Sequence, residues 1–119
     1  MVCNVKAMHS IAESIGAAYL VFLQPTMGLE GAQSLIPKDI ESQDAKQLFN
    51  MIRNRQEYLN VINNLYKELR KYCLELDYCI DISDTAPPTG NMYFNSRHHN
   101  KNGNKVIARE IAKSINSSY

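Results

Sequence analysis

The segment Ala18-Tyr19-Leu20-Val21-Phe22-Leu23 restricts the fold more than any other part of the chain. It is apolar on both faces, rich in aromatic and branched residues, and closed by Gln24-Pro25. A short run of that kind reads as a strand buried on both sides, the usual state of strands in a parallel sheet covered by helices. Upstream, Val5, Met8, Ile11, Ala12 and Ile15 recur at helical spacing and predict an amphipathic helix over 3–15. Gly16 supplies its stop. Helix, glycine and buried strand in that order predict an α/β arrangement.

The strongest periodicity lies in 45–76. Leu48, Ile52, Leu59, Ile62, Leu65, Leu69, Cys73 and Leu76 share one face, while Lys46, Arg53, Glu57, Asn60, Asn64, Lys67 and Lys71 share the other. The spacing predicts a long amphipathic helix with a bend near Asn54. A coiled coil competes, but the pattern runs for only about four heptads and is rich in aromatic residues and asparagine. Tyr78-Cys79-Ile80-Asp81-Ile82 reads as a second strand, and Pro87-Pro88-Thr89-Gly90 as a break. Ile107, Ala108, Ile111, Ala112 and Ile115 mark a last amphipathic helix. Residues 26–44 are polar and irregular, either a surface excursion or a substrate-side lid. Gly28 and Gly31 are expected to loosen that loop and make it the most mobile internal segment.

A length of 119 residues suits a single domain, 1–119. The net charge of +1 is spread without a basic stripe or an acidic tail, giving no sign of nucleic acid as a partner. No apolar run approaches the roughly 20 residues that span a bilayer. Met1–Gly16 lacks the continuous apolar core of a signal peptide, which points to the cytoplasm if Met1 is the true start. The three cysteines, Cys3, Cys73 and Cys79, form no CxxC pair, so free buried or half-buried thiols are expected. His9 is expected on an exposed helix face, and Tyr66 and Tyr72 in packing. A metal site from His98, His99 and Cys79 is disfavoured, because adjacent histidines point apart. A nuclease of the HNH type is disfavoured too, since no second histidine follows Asn100. No cofactor is implied.

The chemistry is concentrated in Asn95-Ser96-Arg97-His98-His99-Asn100-Lys101-Asn102-Gly103-Asn104, ahead of Ile107-Ala108. Asn100 is suited to cap a helix, since its side chain accepts the orphan N–H groups of a first turn. Gly103, in that turn, lets the helix start lie close to another backbone. His98 then stands two residues before the cap, on a mount suited to a general base. His99 is expected at the surface.

This block resembles the closing block of the SGNH/GDSL-type serine ester hydrolases, in which Asp-x-x-His-x-Asn-x-x-Gly-Asn precedes an Ile-Ala helix. The frame falls on Asn95, His98, Asn100, Gly103 and Asn104. The order of elements upstream is similar across nearly the whole chain. The resemblance implies the C-terminal portion of a flavodoxin-like, three-layer α/β/α fold with a mostly parallel sheet. It implies His98 as the general base and position 95 as its orienting partner. The chain departs from the family at Asn95, where the family has an acid. It also lacks the Gly-Asp-Ser and oxyanion-hole blocks, about the first half of a family domain. The expected function is therefore an esterase or acyl-hydrolase part acting on a small-molecule or carbohydrate ester once completed. The alternative is a non-catalytic remnant serving as an interaction module. With two strands only, the apolar faces call for absent strands, a second chain or self-association.

Overall fold

A computed structural model describes residues 2–26, 28–29, 55–85 and 98–118. The elements are α1 (Val2–Ser14), β1 (Val21–Leu23), α2 (Arg55–Leu74), β2 (Cys79–Asp81) and α3 (Lys101–Ser118). The expected helix over 45–76 is thus seen as α2, and its N-terminal part with the Asn54 bend lies outside the described residues.

α1 ends as its sequence requires. Gly16 adopts φ +70°, and Ala17 N–H returns to the Ala12 carbonyl at 2.9 Å. A left-handed residue at this point closes a helix at least cost when it is glycine.

β1 and β2 form a two-stranded parallel sheet with Val21 opposite Cys79, Phe22 opposite Ile80 and Leu23 opposite Asp81. α2 connects them and touches both strands. A parallel pair needs such a crossover, because a hairpin cannot reverse the chain twice. The chain is therefore of the α/β class. Side chains alternate across the strands. Phe22 and Ile80 pack towards Ile82 and Ile107, with Val106 and Ile111 of α3 closing the cluster. Val5, Val21, Leu23, Leu69, Cys73 and Cys79, together with Phe22, line an open apolar groove of about 220 Å³.

The structure departs from the sequence expectations at several positions. The strand expected over Ala18–Leu23 is shorter, only Val21–Leu23, and half-buried rather than buried. One neighbouring strand cannot cover both faces and both edges. Cys73 and Cys79 are not free thiols but a disulfide, their Cα atoms 5.1 Å apart. The turn 75–78 folds the end of α2 back onto the start of β2, a proximity that a spacing of six residues does not reveal. His9 is not on an open face. Its ring stacks on Tyr78 at 3.8 Å between centroids, with Tyr19 edge-on at 6.1 Å. Those contacts tie α1 to the N-terminal ends of both strands. Tyr72 is not packed away either, being 46% exposed.

Gly28 does not loosen the loop that follows β1. It is buried at φ +83°, and a Cβ there would lie 2.9 Å from Leu59 Cδ2 and from Tyr58 Cε1. Glycine alone permits this approach. Asn63 Nδ2 donates to the Gly28 carbonyl at 3.1 Å, and Leu29 is 1% exposed. The strand exit is thereby held against α2. Met27 and 30–44, where mobility was expected, lie outside the described residues.

Candidate functional site

Open parallel sheets present ligand sites at the carboxyl ends of their strands. Here that edge is formed by Gln24-Pro25-Thr26 after β1, Ile82–Thr85 after β2, and the segment His98–Asn100 that enters α3.

Asn100 caps α3. Its Oδ1 accepts the N–H groups of Asn102 and Gly103, each at 2.9 Å, and its carbonyl accepts Asn104 N–H at 2.9 Å. Gly103 is buried in the first turn. Both local features follow from residue type: a short amide side chain before the helix, and a missing side chain where the helix start is covered.

The two histidines differ in burial, as neighbours in extended chain do when one face is covered. His98 is exposed and His99 half-buried, which corrects the expectation that His99 is the surface residue. His99 Nε2 stands 3.2 Å from the Pro25 carbonyl oxygen. A carbonyl can only accept, so Nε2 carries the proton, and in neutral His99 the bare nitrogen is Nδ1. Burial lowers the His99 pKa below the ordinary imidazole value, the Pro25 hydrogen bond opposes that shift, and positive charge on His98 adds to it. This bond joins residues 74 positions apart and ties the histidine segment to the exit of β1.

Tyr66 adds a second tie at the same exit, its hydroxyl donating to the Gln24 carbonyl at 2.7 Å. Burial raises the Tyr66 pKa, and a hydrogen bond with Thr26 moderates the rise. The packing role expected of Tyr66 is therefore joined to a polar one. The Gln-Pro segment is a strand stop whose backbone carbonyls are both engaged.

Beside it, at the end of β2, lies a group that the sequence did not single out. Ser83 is 0% exposed. Arg70 Nε and Nη2 donate to its Oγ at 3.0 and 2.8 Å, and Arg70 also pairs with Asp84 and, at 3.4 Å, with Asp81. Asp81 Oδ1 accepts Ser83 N–H at 2.8 Å. With two guanidinium N–H groups on Oγ, the lone pairs that would attack a carbonyl are occupied. Ser83 is thus a buried hydrogen-bond hub and not an activated nucleophile. Arg70 was masked in the sequence because it sits within a helix where a lone arginine looks like solvated surface.

Asn95 lies outside the described residues, as does the Pro87-Pro88-Thr89-Gly90 break. Cys79 is held in the disulfide with Cys73 and so is not a thiolate ligand to pair with His98 and His99. Among the described residues no cluster of three or more His, Cys, Asp or Glu side chains could hold a metal ion. None of their helices is long and apolar enough to cross a membrane.

The half-burial of His99 has a measurable consequence. Its folded-state pKa lies below the unfolded value of about 6.5. The unfolded chain therefore takes up the proton first as pH falls. Stability from this residue is complete above the unfolded pKa and drains away as pH drops towards the folded one. Chemical denaturation between pH 8 and 5 is expected to show a decline in wild type that His99→Gln lacks. Parallel curves for the two proteins would refute the assignment.

Comparison with family models, with curated proteins and with solved structures found no match to this chain.

Proposed function

We propose that this chain carries the histidine half of an SGNH/GDSL-like ester hydrolase, built on the C-terminal part of a flavodoxin-like α/β/α sheet. His98 is its general base. One observation carries the reading: the His98–Asn100 segment is anchored, through His99 and Pro25, at the carboxyl end of a parallel strand pair. The Asn100 cap and the buried Gly103 support it, because they fix the histidine mount that the sequence block resembles. His98, exposed on that edge, takes the proton from a serine hydroxyl as the oxygen attacks an ester carbonyl. It then returns the proton to the departing alcohol, and repeats the cycle with water to release the acid. The serine and oxyanion donors come from outside these 119 residues. The substrate class is a small-molecule or carbohydrate ester.

A non-catalytic interaction module is the second reading. The occupied Oγ of Ser83 favours it, as does the neutral side chain at position 95.

The test mixes the chain with an N-terminal fragment of a GDSL-type hydrolase that bears Gly-Asp-Ser, and follows an activated acetate ester. Alone, the chain should match free imidazole, since nucleophile and oxyanion donors supply most serine-hydrolase catalysis. Mixed, it should turn over and label with a fluorophosphonate. A complex that forms yet stays silent would favour the interaction module. Burst kinetics from the chain alone would overturn both readings.

A further inference from the structure

We infer that the outer edge of β1 is a self-pairing interface, and that a second copy of this chain occupies it through an antiparallel β1–β1 contact centred on Phe22.

Towards β2, Val21 donates its N–H to Tyr78 at 2.9 Å, and Leu23 accepts from Ile82 at 3.0 Å. In a parallel pair, alternate residues of a strand bond to one neighbour. The N–H and C=O of Phe22 therefore point to the other side. Among the described residues no third strand joins the sheet there and no hydrogen bond of these two groups is found. Such an edge accepts another strand.

Charge selects both the edge and its occupant. From Ser14 to Leu29 the sequence holds no charged residue, so the β1 edge lacks the charges that usually guard an edge strand. The opposite edge, on β2, is guarded by charge: Asp77, Asp81 and Asp84 flank it, the last two paired with Arg70. On β1 a two-fold axis through Phe22 is self-complementary. The N–H dipole of one Phe22 meets the C=O of the other, and the reverse bond forms at the same residue pair. The pairing sets Val21 against Leu23, and Leu20 against Gln24, of the second copy. It also places that strand beside the apolar groove lined by Val5, Leu69 and Tyr72. Met8 and Ile11 on α1 and Ile15 just after it, 55%, 63% and 75% exposed, add further open apolar surface. This inference does not depend on the hydrolase reading.

The test uses the whole chain. Sedimentation velocity from low micromolar to millimolar concentration should show a monomer–dimer equilibrium. Hydrogen exchange at the Phe22 amide should slow as the dimer fills. Gln24 is exposed, so Gln24→Lys should leave the fold intact while setting a charge against Leu20 at both ends of the contact. It should weaken dimerisation by about tenfold. A monomer at every concentration would overturn the inference, as would a dimer in which Phe22 exchange is unchanged or Gln24→Lys has no effect. Protection of Phe22 only when a GDSL-hydrolase fragment is added, with the chain otherwise monomeric, would assign the edge to a foreign strand and equally overturn it. Ester turnover is not read in this experiment, so its outcome is separate from that of the hydrolase proposal.

Discussion

In a hydrolase reconstituted from this chain and a serine-bearing fragment, His98→Ala is expected to lower turnover by about 10²- to 10⁴-fold, the usual worth of a positioned general base. Substrate affinity should change little, because the imidazole acts on the serine proton and not on the ester in its ground state. His99→Ala should behave differently. That side chain anchors the segment on Pro25 at 3.2 Å, so its loss should cost stability and a smaller part of the rate, through a displaced His98. Asn95→Asp should raise turnover. A carboxylate fixes the imidazole tautomer and stabilises the imidazolium of the transition state, whereas a neutral amide does only part of the first. The decisive measurement is kcat for the three variants in one reconstituted preparation, with complex formation checked separately. A chain in which His99 is essential and His98 dispensable would shift the frame of the block by one residue. No gain from Asn95→Asp would mean that another acceptor already orients the base.

The second large effect concerns the core that holds this segment in place. Ile107 is 6% exposed and packs on Ile82, with Phe22, Ile80, Val106 and Ile111 around them. Ile107→Ala removes three carbons from a small cluster with few neighbours able to fill the space. About 3 kcal/mol of stability is expected to go, close to two orders of magnitude in the folding equilibrium. The loss should fall on α3 and so on the cap that mounts His98. Ile115→Ala, on the same helix but 39% exposed, is the control and should stay within about 0.5 kcal/mol. Urea midpoints for the two variants separate the cases. Equal destabilisation by both would mean that the α3 core is not centred on Ile107.

Local rules carried much of this molecule. The period of Val5, Met8, Ile11, Ala12 and Ile15 and the glycine after it specified α1 and its end, because helix spacing and a left-handed stop are properties of a few adjacent residues. The Asn100 cap and the final helix were legible for the same reason. The parallel relation of the two strands was legible in the intervening helical period, since only a crossover leaves strands parallel.

What depended on the path of the chain through space was not legible. Leu65, on the apolar face of α2, is 48% exposed because nothing in the described fold reaches it, and periodicity marks a face without marking its partner. The Cys73–Cys79 bond, the His9–Tyr78 stack and the Arg70–Ser83 hub join residues whose proximity arises only when α2 returns onto β2 and α1 lies across the strand ends. The same holds for His98 and His99. The sequence set them on one mount before one helix. Which of them faces the protein was decided by the Pro25 carbonyl, 74 residues away, because a buried acceptor requires a donor and His99 is the side chain that the tertiary fold brings to it.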